Sequence, residues 1–233
     1  MRLINSSVEI LDQINGEEVL KKLERIARTC YKSEKRITED GSSARKLLTN
    51  IIKSGHEAMI EHYSFSVKFI CSRAISHELV RHRMASFAQE SQRYVNYGKR
   101  GGIEFIIPVN LENQISPGDD ALSVSIKDLI NGCNDYSFAE RFAANAWRSE
   151  NVYLTAIESG VKPQEARDLL INATKTEVVM TANLREWRHF FELRCDQATH
   201  PDMRKLALDL LKQAHEKIPV IFDDLYDKFI KTE

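Results

Sequence analysis

Between Glu78 and Tyr94 the chain packs Arg81, His82, Arg83 and Arg93 among Glu78, Ser86, Gln89, Glu90, Ser91 and Gln92, although the formal net charge of its 233 residues is only −1. Helical neighbours are about 100° apart, so on a helix Arg81 and Arg83 point to nearly opposite sides and cannot share one solvated face. At least one of them should meet protein or a ligand. Ile75, Leu79 and Arg83 are in helical phase, which places the Arg-His-Arg triplet at the end of a helix running from Ala74 to Arg83. A cation there complements the negative end of the helix dipole, and that alone accounts for one arginine without any ligand. If residues 89–94 are extended, Ser91 and Arg93 share a side, where a hydroxyl and a forked guanidinium can hold a phosphate together.

The remaining pattern mixes helices and strands. Arg2-Leu3-Ile4 and Val8 to Leu11 are short strand candidates. Asn15 can cap a helix over 16–30, with Glu18 reaching back and Val19, Leu20, Leu23, Ile26, Ala27 and Cys30 as its stripe. A second helix over 42–54 closes at Gly55, and a polar turn, Gly55 to His62, leads into an alternating strand, Tyr63 to Phe69. Ile103 to Ile107 reads as a strand, 111–120 as loop, 121–159 as mostly helical up to Gly160, and Pro163 as the start of a short helix. Glu177 to Thr181 is a strand entering a helix that Asn183 can cap, with Glu186 completing a capping box. Arg185 and His189 share one face of that helix, and Trp187, Phe191 and Arg194 share another. A guanidinium in register with two large aromatics is drawn toward the protein, against something planar or anionic. Two helices around Pro219 end the chain. No repeat or composition shift marks a boundary, so residues 1–233 read as a single domain.

Several function classes are excluded. A near-neutral chain has no global field for a polyanion, so a nucleic-acid coat is not expected. Cys30, Cys71, Cys133 and Cys195 are far apart with no Cys-x-x-Cys pair, and His56 and His62 lie six apart, so no metal site is indicated. No apolar run reaches membrane-spanning length, so the expected location is a reducing cytoplasm with no membrane partner. No Gly-rich phosphate loop occurs, so a bound dinucleotide must be neutralised by side chains.

Arg81-His82-Arg83, then seven residues, then Ser91, with Ser86 and Arg93-Tyr94 beside them, resembles the signature of the flavin-dependent thymidylate synthases. The run Asn183-Leu184-Arg185, His189 and Leu193-Arg194 is similar to that family's second binding segment. The resemblance implies an α/β (α+β) fold, with a central, mostly antiparallel sheet flanked by long helices, assembled as a homotetramer. It implies methylation of dUMP using FAD, with NADPH and 5,10-methylenetetrahydrofolate as co-substrates. By resemblance the FAD residues are His56, Ala58, Arg81, His82, Arg83, Gln89, Asn183, Leu184, Arg185 and His189; Ala58 stands where members often carry a hydroxyl. The dUMP residues are Glu78, Leu79, Val80, Arg81, Gln89, Glu90, Ser91, Gln92, Arg93, Arg194 and Arg167, the last reaching a neighbouring subunit's site. The resemblance puts Arg194 against the pyrimidine, and with its aromatic register this makes it the expected catalytic residue, polarising the uracil ring. A flavin-contacting His that some members place four residues beyond that Arg is replaced by Ala198, with His200 two residues later.

Bland readings stand beside these. Arg167 suits a surface charge, Asn183 and Glu186 suit a cap, and the arginine-rich segments can pair with some of the chain's 34 acidic residues. An RNA-binding module would need aromatics interleaved with the basic run, where only Phe87 and Tyr94 are local.

Overall fold

The computed structural model describes residues 1–118 and 136–232. Cys133 and the expected helix before residue 136 lie outside them. Strands β1 (Arg2–Ile4), β2 (Ser7–Ile10), β3 (Ser64–Ser72), β4 (Ala85–Gln89), β5 (Glu104–Ile106) and β6 (Lys175–Asn183) form two sheets. One pairs β1 with β5; the other has the order β2-β3-β6-β4. The fold is therefore mixed helix and sheet, as expected. The described residues group into two compact units, each built from separated stretches of chain.

The first unit comprises Met1–Ser7, Ile70–Val80 and Ala88–Val178. Here β1 runs parallel to β5, with Leu3 opposite Phe105. Both side chains are buried with Ile107, Ala146 and Tyr153. Helix α3 (Arg73–Leu79) starts on the Ser72 hydroxyl, which accepts from the Ile75 N–H. Helix α4 (Phe138–Glu158) begins with a reciprocal capping box between Ser137 and Glu140, and the short α5 (Pro163–Ala166) has proline at its start.

The second unit comprises Val8–Phe69, Arg81–Phe87 and Val179–Glu233. Helix α1 (Gly16–Tyr31) is capped by Asn15, which accepts from the Glu18 N–H, and packs with α2 (Ser42–Lys53). Gly16 is required sterically, because a Cβ there would lie 2.1 Å from the Lys217 carbonyl oxygen. Cys30, expected on the buried stripe, is exposed; the buried face carries the ion pair Glu24–Arg28 instead. The Arg28 guanidinium reaches the carbonyls of Ser33 and Arg36, so this pair fastens the loop after α1.

β3 shows the predicted period of two, with Phe65, Val67 and Phe69 buried, and β6 has the same period, with Val178, Met180 and Ala182 buried between more exposed residues. Helix α6 (Leu184–Arg194) follows β6 directly and packs against α7 (Pro201–Lys217) and α8 (Pro219–Phe229). Trp187 stacks on Phe65 at 5.0 Å and donates its indole N–H to the Phe65 carbonyl. Arg188, only 4% exposed, binds both carboxylate oxygens of Asp224 at 2.7 Å, the Ile221 carbonyl, and Glu57 at 2.8 Å. One buried cation thus ties α6 to α8 and to the turn before β3.

Two local expectations change. Helix α3 ends at Leu79 rather than Arg83, because Val80 closes it and the chain turns into β4, a strand with no distinctive pattern. Residues 91–94 form a turn rather than an extended segment, with the Tyr94 N–H on the Ser91 carbonyl at 3.1 Å.

Candidate active site

The Arg-His-Arg triplet lies in the turn between α3 and β4, and there Arg81 and Arg83 are exposed while His82 is only 5% exposed. His82, not an arginine, is the residue of the triplet that meets protein. It lies against the face of α6 that carries Glu186, Phe190 and Arg194, positions one turn apart. Its Nδ1 is 3.3 Å from Glu186 Oε1, its ring is 5.0 Å from the Phe190 ring, and its Nε2 accepts from Arg194 Nε at 3.1 Å. A guanidinium only donates, so Nε2 must be unprotonated and the proton sits on Nδ1, facing Glu186. Burial, with the Arg194 and His189 charges adding to it, holds the imidazole down at about 4, so the ring is neutral. Burial also raises the Glu186 carboxyl.

This changes the expected capping box. Asn183 does cap α6, accepting from the Glu186 N–H at 2.9 Å, but the Glu186 carboxylate faces His82. Trp187 and Phe191 are fully buried, and the ring that Arg194 meets is His82.

Other residues expected to hold the flavin line two clefts in the same unit. Asn183, Arg185 and His189 line one of about 370 Å³ with Glu57, Glu61 and Met84. His56, Ala58 and Arg185 line another of about 340 Å³ with Cys30, Tyr31 and Met59. Arg185 and Glu57 belong to both. Arg185 pairs with Glu61 at 2.6 Å and is half exposed, so an anionic ligand can take that partner's place. Leu184 is fully buried with its N–H on the Tyr63 carbonyl, which leaves its side chain to the core. His200 caps α7, Nδ1 accepting from the Asp202 N–H at 3.3 Å, and Ala198 is exposed.

The residues expected to hold the nucleotide belong to the first unit, apart from Arg81 and Arg194. Gln89 donates to the hydroxyls of Ser76 (3.0 Å) and Thr176 (3.3 Å). Glu90 accepts from Tyr97 (3.2 Å) and from Lys175 (3.3 Å), whose ammonium also meets Glu104 and Glu177. These partners fix both side chains within the unit. Leu79 is fully buried, Val80 is exposed, and Glu78 and Arg167 are half-buried. The Ser91 hydroxyl accepts from the Arg93 N–H at 3.3 Å, which leaves its own proton to donate. Arg93 is exposed, with its guanidinium over the Tyr94 ring at 5.6 Å. Gln92 is half-buried, with its side chain hydrogen-bonded to Tyr97.

Cys71 and Cys195 are buried, and burial pushes the Cys71 thiol up to about 12, so neither suits a thiolate nucleophile. Among the described residues no group of His, Cys, Asp and Glu is arranged to hold a metal ion, and no helix is long and apolar enough to cross a membrane. Sequence reasoning gave Glu186 only a capping role and missed Arg188 and Lys175, most of whose partners lie far along the chain.

The family model described as thymidylate synthase complementing protein matches residues 9–220. The flavin-dependent thymidylate synthase of Geobacter sulfurreducens is 33% identical over 204 residues, covering 85% of this chain and 78% of that protein. The enzyme of the same description from Mycobacterium marinum is 31% identical over 214 residues, covering 90% and 80%. Among solved structures, the UMP/dUMP methylase PolB from Streptomyces cacaoi, bound with 5-Br dUMP, superposes with a TM-score of 0.71 at 25% identity, covering 98% of both chains.

Proposed function

The chain belongs to the thymidylate synthase complementing protein family, whose members are flavin-dependent enzymes, and on that premise we propose that it methylates dUMP at carbon 5 to give dTMP. The carbon comes from 5,10-methylenetetrahydrofolate. Bound FAD, reduced by NADPH, supplies the hydride. The observation that carries the reading is the His82–Arg194 hydrogen bond, which joins the two motif segments in one place.

Arg194 takes the catalytic role. As C5 of the uracil ring attacks the one-carbon donor, negative charge builds on the ring's amide oxygens and nitrogen, and a preorganised guanidinium beside them stabilises it. Ser91, Gln92 and Arg93 hold the 5′-phosphate. In support, Ser91 keeps a proton to donate. Arg185, His189, Asn183, His56 and Ala58 hold the flavin, with Arg81 and Arg83 neutralising its phosphates. His82 brings no charge to that task, because its ring is neutral. The working form is a homotetramer in the cytoplasm, with Arg167 reaching a neighbouring subunit's nucleotide.

The PolB relative is described as acting on UMP as well as dUMP, so the ribonucleotide is the competing substrate. The test is an assay of the purified protein with NADPH, methylenetetrahydrofolate and either nucleotide. A yellow protein that forms dTMP supports the reading. A colourless protein, or one that methylates only UMP, contradicts it.

A further inference from the structure

An arginine that must polarise a ring at one particular edge needs its plane fixed, and a long side chain does not fix it unaided. On α6, Glu186, Phe190 and Arg194 follow one another at four-residue intervals, and His82 spans all three. The guanidinium is rigid and planar, so the direction of its Nε–H sets the plane of the whole group. That N–H points at His82 Nε2 across 3.1 Å. The acceptor is available in only one tautomer, and Glu186, 8% exposed and 3.3 Å from Nδ1, selects it. The Phe190 ring supports the imidazole from the side.

We infer that His82 is a positioning residue: held by Glu186 and Phe190, it accepts from Arg194 Nε and so fixes the guanidinium in the orientation that meets the pyrimidine. Its role lies in the direction of a hydrogen bond rather than in charge or proton transfer. The inference rests on the dUMP-methylating reading above, and it goes further by making the catalytic arginine depend on the first motif segment.

His82→Phe keeps a ring against Phe190 but removes the acceptor. It should lower kcat about 10- to 100-fold through misorientation, while flavin content and the KM for dUMP stay close to wild type. Glu186→Leu frees the tautomer and should fall in the same direction. Glu186→Gln still accepts from Nδ1–H and should recover most of that loss. In an Arg194→Lys background there is no Nε–H to orient, so His82→Phe should cost nothing further. Independently of turnover, ¹⁵N NMR of the imidazole in the holoenzyme should show His82 protonated at Nδ1 and bare at Nε2. A proton on Nε2, or full loss on His82→Phe in the Arg194→Lys background, overturns the inference while leaving the methylation reading intact. A wild-type holoenzyme that makes no dTMP overturns both.

Discussion

Arg194 and His82, 112 positions apart in sequence, share a 3.1 Å hydrogen bond in which the guanidinium donates and the imidazole accepts. The contact joins the end of α6 to the turn that precedes β4, the two places where family-like motifs occur. It brings the proposed catalytic arginine against the Arg-His-Arg triplet, a juxtaposition that neither segment shows alone.

The two arginine segments should respond differently to truncation. Arg194→Ala should retain FAD and lose about 100-fold or more in kcat, the scale of a removed transition-state donor. Ser91→Ala and Arg93→Ala should instead raise the KM for dUMP and leave kcat nearly unchanged, as expected of groups that grip substrate and transition state equally. Steady-state kinetics on the three variants separate the roles.

Stability should fall on mild acidification. His82 titrates in the unfolded chain at its ordinary value but only at about 4 when folded. Between those values the unfolded state binds the extra proton, so stability declines as pH drops from about 6.5 to about 4, by at most about 1.4 kcal/mol per pH unit from this group. Thermal melts across that window should show a shallower slope in His82→Phe than in wild type.

Arg188 should matter to the fold rather than to chemistry. It is buried and holds Asp224, Glu57 and the Ile221 carbonyl at once. Arg188→Ala leaves the buried Ile221 carbonyl without its donor and frees two carboxylates that water can reach, so it should cost about 1–3 kcal/mol in urea denaturation. Asp224→Asn, which leaves Glu57 in place, should cost less.

Much of this architecture is legible in the sequence because it is local. The alternation through Phe65, Val67 and Phe69, the stripe of α1 from Val19 to Ala27, and the caps at Asn15 and Asn183 each depend on neighbours within a few residues. What escaped depends on distant partners. Helical phase continues through Ile75, Leu79 and Arg83, yet the chain leaves the helix after Leu79, since β4 takes its place beside β6, a strand far along the chain. Glu186 completes the spacing of a capping box, but a histidine 104 positions away takes its carboxylate. Lys175 with Glu90 and Glu104, and Arg188 with Asp224, are likewise invisible to any local window. The proposed site residues come from the resemblance, and the structure adds that His82 among them is a buried, neutral acceptor.

The central claim is that Arg194 serves the pyrimidine of the nucleotide whose phosphate Ser91, Gln92 and Arg93 hold. A crystal structure of the assembled protein with FAD and dUMP tests it directly. The account predicts the Arg194 guanidinium within about 3 Å of a uracil oxygen, its Nε still on His82, and the 5′-phosphate on Ser91, Gln92 and Arg93. A nucleotide bound elsewhere, or bound by the phosphate residues with its ring remote from every Arg194 of the assembly, would contradict it.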